Sequence, residues 1–243
     1  MIVLFCDFGL PYTAQMKAAV RRTGTADEIV DLLTDAPPQG VKPSAYLLPA
    51  LASDFAEETV FVCVVDPGVG GERGALAVRA DNRWFVGPDN GLFEMLLRRA
   101  PQPGRCWDIS WRPERLSSTF HGRDVFAPVA GRLAQGETPP GPERPAPAFD
   151  ASDWPDELAE IVYIDGFGNA FTGIRTAAIS KNDRLTVNGH SLSFAATYSD
   201  VQPGHAFWYE NAIGLAEIAV NGGNAAAGLG LSVGVSVGLL RQK

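Results

Sequence analysis

The amino-acid sequence predicts two folded regions: an α/β domain with a parallel, Rossmann-like sheet, then a small all-β domain, sandwich or barrel. Three observations carry this. Strand-like and helix-like segments alternate through residues 1–136. Residues 137–156 are proline-rich, with five prolines between 139 and 147, and read as a linker because such a stretch packs as neither helix nor central strand. From 157 to 243 short strand-like runs are separated by Gly, Asn and Asp turns. At 243 residues the chain is long enough to bury a core in each region.

The elements follow in order. MIVLFC is a short apolar first strand, residues 12–22 a helix and EIVDLL a second strand. Residues 43–56 read as a helix with Ser44 as its cap. TVFVCVVD is apolar without alternation, the pattern of a parallel strand buried on both faces. ALAVRA and RWFVG form a strand pair around the turn signal Asp81-Asn82. Asn90 to Arg99 is helical, with arginines in its last turn and Pro101 beyond its stop. Gly122 to Ala134 is the last helix of the region. In the second region ELAEIVYID, RLTVNG, HAFWYE and LAEIAV read as strands.

Composition excludes several functions. The net charge is −8 and no basic cluster stands out, which argues against a nucleic-acid or anionic-membrane binder. No apolar run reaches the roughly 20 residues of a membrane helix. The N-terminus has no basic lead and meets an acid at Asp7, so it reads as a strand and not a signal peptide. Cys6, Cys63 and Cys106 form no CxxC pair and read as buried thiols of a cytoplasmic protein. No HExxH or Cys/His set has zinc-ligand spacing, so no metal is expected. There is no GxSxG elbow, no Walker loop, and the DFG triplet stands without the other kinase signatures.

Chemistry concentrates in five stretches. Asp7 ends the first strand, where a carboxylate can hold a ribose diol or simply form a turn. VVDPGVGGERG places Asp66 and Arg73 on either side of a glycine loop at the ligand edge of the sheet; a surface ion pair across a turn has the same sequence. FHGRDVFAP holds His121 at a loop-to-helix start, where a histidine can orient or deprotonate water; a capping segment with Asp124 near the helix N-terminus has the same sequence. VYIDGFGNAFTGI brackets Gly-Phe-Gly with Asp165 and Asn169 and adds Phe171. An aspartate can pair with an ammonium, an asparagine amide can read an adenine edge and an aromatic can stack on the base, though a plain β-turn over a core phenylalanine looks the same. PDNGL, 88 to 92, is a capping turn or a ligand contact.

Taken in order, DFG, QMK, IVDLLTDAPP, VFVCVVDPGVG, FVGPDNGL, FHGRDVFAP, YIDGFGN and NAIGLAEIAVNGGNAA resemble the S-adenosylmethionine hydroxide adenosyltransferase family, relatives of the fluorinase and chlorinase enzymes. The resemblance runs nearly end to end. It implies an α/β domain followed by a small β-barrel, a homotrimer with inter-subunit active sites, and hydrolysis of S-adenosylmethionine to adenosine and methionine with no cofactor. The halogenating branch carries a tyrosine where this chain has Asp66 and lacks the histidine, whereas Asp66, Arg73 and His121 match the water-using branch. By that resemblance Asp66 and His121 hold a water and take its proton, with Arg73 orienting Asp66. Asp7 grips the ribose hydroxyls, Asp165 pairs with the methionine ammonium, Asn169 reads adenine and Phe171 supplies an aromatic wall. Phe120 and Gly122 line the nucleophile pocket, and Asn211 falls where relatives have an Asn-Ser pair on the methionine side. The chain departs from the family in DFGLPYTAQMKA, where a second acid is missing and the loop is shorter, and in Ala212 and Ile213, where halogenating members bring a carboxylate-holding arginine. A sensor that binds S-adenosylmethionine or adenosine without turnover, and a halide transferase, are the rival functions; a water-activating set is needless in the first, and Asp66 would repel an incoming halide in the second.

Overall fold

A computed structural model describes residues 1–241. The chain forms two compact units, Met1–Asp153 and the residues from Trp154 onward. The first is built on a seven-stranded sheet: β1 (Ile2–Cys6), β2 (Ile29–Leu33), β3 (Val60–Val64), β4 (Ala75–Ala80), β5 (Arg83–Pro88), β6 (Arg105–Asp108) and β7 (Glu143–Arg144), in the order β2-β1-β3-β5-β4-β6-β7. The sheet is mixed and not purely parallel. β2, β1, β3 and β5 are parallel, but β4 is antiparallel to both β5 and β6, and β7 antiparallel to β6. The cause is the hairpin at Asp81-Asn82, whose two residues adopt φ 47° and 57°, the left-handed pair of a tight two-residue turn.

β1 and β3 are buried along their whole length, as their unbroken apolar sequences require. Each fully buried large aliphatic side chain contributes roughly 1.5–3 kcal/mol relative to exposure. On one face Ile2, Leu4, Val60 and Val62 pack with Met16 and Val20 of α1 (Tyr12–Arg21) and with residues of the last helix. On the other, Phe61 and Phe85 stack at 4.8 Å and meet Phe55, which follows α2 (Val41–Ala52), and Phe93, which precedes α3 (Glu94–Arg99). The expected helix over 122–134 begins with a π-helical turn, Gly122–Phe126, before α4 (Ala127–Ala134). Ser44 is not a cap: α2 starts earlier, after Gly40, and the Ser44 hydroxyl is buried without a hydrogen-bond partner.

The proline-rich stretch is fastened to the first unit. β7 extends the sheet. Asp89, with only 1 % of its side chain exposed, accepts hydrogen bonds from Ala148 N at 2.9 Å and from Arg144 at 3.2 Å. Ala151 O accepts one from Arg98 at 3.0 Å.

The second unit contains two antiparallel sheets. One has the order β12-β13-β9-β8, made of β8 (Leu158–Ile164), β9 (Ala170–Arg175), β12 (Ala206–Glu210) and β13 (Leu215–Val220). The other has the order β11-β10-β14, made of β10 (Arg184–Val187), β11 (His190–Leu192) and β14 (Gly238–Leu240). Single bridges join Glu160 to Ser236 and Phe194 to Trp208. Ile161, Ile174, Leu185, Trp208 and Ile218 form the core, beside α5 (Ala225–Leu229).

Candidate functional site

β1 and β3 are parallel neighbours, so their carboxyl ends deliver Asp7 and Asp66 to one edge of the first sheet. Asp66 opens the glycine loop, with Val69 N donating back to Asp66 O at 3.3 Å and Gly71 N to Gly68 O at 3.0 Å. Asn90 steadies its base by donating to Val65 O at 2.9 Å. Gly70 has φ 79°, and a Cβ there would run into the carbonyl oxygen of Ser118. A side chain at 70 would therefore hold the loop away from the segment that carries His121. That is the physical reason for glycine at this point.

The close approach brings three side chains together. Arg73 grips Asp66 with two donors, Nε to Oδ1 at 2.8 Å and Nη2 to Oδ2. The same Nη2 lies 3.0 Å from His121 Nδ1, and Nη1 donates to Gly74 O at 3.0 Å. The pair is largely withdrawn from solvent, with 4 % of the Asp66 and 11 % of the Arg73 side chain exposed. The guanidinium also lies 5.4 Å over the Phe126 ring. Burial, and next the Arg73 charge, push the His121 pKa below its ordinary value.

Arg73 fixes the state of the histidine. A guanidinium stays protonated in a protein and has no acceptor, so the ring nitrogen facing it must accept. Flipping the ring would set a C–H against the cation. The neutral imidazole therefore carries its proton on Nε2. His121 offers a donor at its other nitrogen, and Asp66 keeps spare acceptor sites on both oxygens.

Asp7, Phe8, Asp66, Phe120, His121 and Gly122 line a cleft of about 420 Å³. Asp7 Oδ2 already accepts from Gln39 N at 2.7 Å; burial raises the Asp7 pKa, the Gln39 bond opposes this, and Asp66 adds to it. Phe120 packs edge-on against Phe8 and Tyr12 at 5.8 and 5.5 Å. A Cβ on Gly122 would sit 3.3 Å from Phe120 and 3.4 Å from Met16. Arg123 and Asp124 pair with each other, and Asp124 accepts from Ser117 N at 2.8 Å while Arg123 donates to Gln15 at 3.0 Å. They brace the His121 loop.

The remaining sequence-predicted residues lie in the second unit. Asp165 turns the β8–β9 loop, Oδ1 accepting from Phe167 N at 2.9 Å and Asn169 N at 2.8 Å, and Oδ2 from the Asn169 amide at 3.3 Å. Asn211 turns the β12–β13 loop, its Oδ1 accepting from Ile213 N at 3.1 Å and Leu215 N at 2.9 Å. Phe171 meets Tyr163 edge-on at 5.5 Å. Sequence reasoning missed Glu217 and Tyr209. Glu217 is buried, accepts from Asn211 Nδ2 at 3.0 Å and from the Tyr209 hydroxyl, and is the one acid inside the apolar run LAEIAV. Such a buried polar residue in an apolar strand is the signal that would have found it.

Fold and cluster define a class: a two-unit protein whose α/β sheet presents a coupled carboxylate, guanidinium and imidazole at its strand ends, with no group of metal-ligating side chains among the described residues. Residues 2–141 match the SAM hydroxide adenosyltransferase N-terminal domain and residues 159–238 its C-terminal domain. The chain belongs to the SAM hydroxide adenosyltransferase family. It is 38% identical to a Thermus thermophilus protein named (R)-S-adenosyl-L-methionine hydrolase, over 98% of this chain and 99% of that one. A Salinispora arenicola protein of the same name is 35% identical over 94% of this chain and 93% of its own length. Among solved structures, an uncharacterized conserved protein from Thermotoga maritima superimposes with a TM-score of 0.87 at 29% identity, covering 99% of this chain and all of that one. A conserved hypothetical protein from Thermus thermophilus does so with a TM-score of 0.78 at 34% identity, covering 98% and 99%.

Proposed function

We propose that the protein hydrolyses S-adenosyl-L-methionine to adenosine and L-methionine. The observation that carries the reading is the Asp66–Arg73–His121 cluster, of which Asp66 and His121 line the cleft, in a member of a family whose named relatives are hydrolases of this compound. Water attacks ribose C5′; the new O–C5′ bond forms as the C5′–S bond breaks, and the electron pair returns to sulfur to give a neutral thioether. The sulfonium is already a good leaving group, so the protein's task is to place the water and accept its proton. Asp66 is the proton acceptor. His121 donates from Nε2–H to the water oxygen and aims its remaining lone pair at carbon. The resemblance shares proton acceptance between Asp66 and His121; the reading assigns it to Asp66, with the Arg73–His121 contact as its support.

Asp7 holds the ribose hydroxyls and Phe120 with Gly122 bounds the space around the water. Asp165, Asn169 and Phe171 serve the ammonium, the adenine and its wall, and Asn211 shapes the methionine side. The two bridged antiparallel sheets of the second unit are read as a small barrel. The homotrimer with sites shared between subunits belongs to the same reading and is checked by mass in solution. SAM is the substrate, and the reading calls for no cofactor. Action in the cytoplasm belongs to the same reading; no described helix is long and apolar enough to cross a membrane.

The test is incubation of the purified protein with S-adenosylmethionine in oxygen-18 water containing chloride, with products followed by mass detection. Labelled adenosine and methionine are expected. A 5′-chloro nucleoside, or binding without turnover, overturns the reading.

A further inference from the structure

The polar residues of the second unit converge on one carboxylate that the proposed chemistry does not use. Glu217 pairs across the sheet with Tyr209 on β12 and with Phe171 on β9, and Phe171 pairs with Tyr163 on β8. Cross-strand partners share a face, so these four side chains form a row across the four-stranded sheet. Glu217 is 2 % exposed. Its Oε1 accepts from the Tyr209 hydroxyl, which lies 3.3 Å from the Tyr198 hydroxyl, and its Oε2 accepts from Asn211 Nδ2 at 3.0 Å. Burial raises the Glu217 pKa, with the Asp165 charge adding to this, and the hydrogen bonds from Tyr209, Asn211 and, least, Asn169 oppose it.

The two asparagines come from different loops. The register pairs Ile218 with Ala170 and Leu215 with Arg175, so the 165–169 and 211–215 loops lie at opposite ends of the β9–β13 pair. Glu217 stands between them: Asn211 Nδ2 donates to it from one loop, and its strand partner Phe171 follows Asn169 of the other by two residues, on the same face. Only a carboxylate suits that position, because it is acceptor-only and can receive several donors at once, whereas a glutamine would turn an N–H toward one of them. A buried charge costs several kcal/mol unless it is fully hydrogen-bonded, and packing alone would be served by an apolar residue. We infer that Glu217 is a positioning residue: its buried carboxylate ties the Asn169 and Asn211 loops into one substrate-binding arrangement. This rests on the proposed hydrolase reading for the identity of the substrate. The tie between the loops does not.

The experiment uses the full-length protein and Glu217→Gln, which preserves shape, with Tyr209→Phe as a second variant that removes one donor and keeps the ring. Two quantities are measured: steady-state kinetics with S-adenosylmethionine, and backbone amide exchange of residues 165–169 and 211–215 without ligand. Glu217→Gln is expected to raise KM about tenfold, the worth of roughly one hydrogen bond to a charged group, with kcat changed by less than about threefold. Exchange in both loops should quicken while the strands of the unit stay protected. Tyr209→Phe should shift both readouts in the same direction by less. Wild-type exchange rates in both loops of Glu217→Gln would overturn the inference, and so would a fall in kcat with KM unchanged. If the wild-type protein turns over no S-adenosylmethionine yet the loops loosen in the variant, the hydrolase reading fails and the positioning role stands.

Discussion

His121→Gln separates two roles that a catalytic histidine can play. In the structure Nδ1 accepts from Arg73 Nη2 at 3.0 Å, so the neutral ring of this cleft-lining residue has its proton on Nε2 and offers a donor there. A glutamine at 121 offers the same pair of functions, an oxygen for Arg73 and an N–H for the water, on a more flexible stem. The loss is the misalignment of about one hydrogen bond, roughly 1–1.5 kcal/mol, or about tenfold in kcat. If His121 were instead the general base, no amide could replace it, and the loss would be about 10²–10⁴-fold. His121→Phe removes both functions and leaves Arg73 Nη2 short of an acceptor, about 2–3 kcal/mol, so it should fall about 10²-fold and lie well below His121→Gln. The assay is initial-rate adenosine formation at saturating substrate, from about pH 5 to about pH 9, with circular dichroism as the control for folding. A folded His121→Gln enzyme as inactive as His121→Phe would refute the tautomer argument.

Three further outcomes follow from the same geometry. Asp66→Asn keeps the shape but removes the proton acceptor and the anionic partner of Arg73; kcat should drop by about 10³-fold with the far-ultraviolet spectrum unchanged, as read by adenosine formation and circular dichroism. For wild-type protein, burial and the Arg73 charge lower the His121 pKa, with Arg112 adding to this and Asp66 and Asp124 opposing it. Since the folded value lies below the ordinary 6.5, the unfolded chain binds more protons between the two, so stability rises with pH up to about 6.5, whereas activity falls only as pH drops through the lower folded value. Melting temperature and rate measured against pH should both show this, and His121→Gln should remove its contribution from each. Asp89→Ala strips the buried anchor of Arg144 and of the Ala148 and Phe149 amides. It should cost about 3 kcal/mol and lower the melting temperature of the first unit by roughly 6–12 °C, with early proteolysis at 144–151.

Much of the fold was legible because burial on both faces leaves a mark on single strands. β1 and β3 announce themselves as unbroken apolar runs, and the Asp81-Asn82 hairpin by its turn residues. The mixed sheet was not legible. Local pattern shows that β4 and β5 pair, but not that β4 then lies between β5 and β6 and turns the far half of the sheet antiparallel. β6, β7, β11 and β14 are too short to give a periodic signal, and their partners in the sheet define them. β9 was hidden within the motif read for chemistry. The proline-rich stretch has the composition of a linker, yet Asp89, distant in sequence, supplies acceptors that hold it on the first unit. The π-helical turn at 122–126 is invisible to a helical period, although such turns recur at functional sites.

The candidate site divides along the same line. Residue types were legible: a carboxylate at each of two strand ends, a glycine loop, a histidine at a helix start. Contact was not, and contact decides the chemistry. Nothing in the spacing of Arg73 and His121, which lie 48 positions apart, says that one guanidinium serves both the aspartate and the imidazole. Once it does, the roles of the other two are constrained. The nitrogen of His121 that faces Arg73 accepts, so a proton already occupies its other nitrogen, and the proposed reading gives proton acceptance to Asp66. An arginine that touched Asp66 alone would have left His121 free to choose its tautomer and to act as the base. The Gly70–Ser118 approach closes the distance between the two loops, so a glycine outside the Asp66–Arg73–His121 cluster helps set whether Arg73 reaches His121. Gly70→Ala should therefore resemble a mixed defect: the glycine loop displaced from the 118–121 segment, the hydrogen bond between Arg73 and His121 broken, and the His121 pKa returned toward its ordinary value. Titration of His121 by NMR tests that chain of causes directly. An unmoved pKa in a folded Gly70→Ala protein would show that the loop approach does not control the pairing of Arg73 with His121.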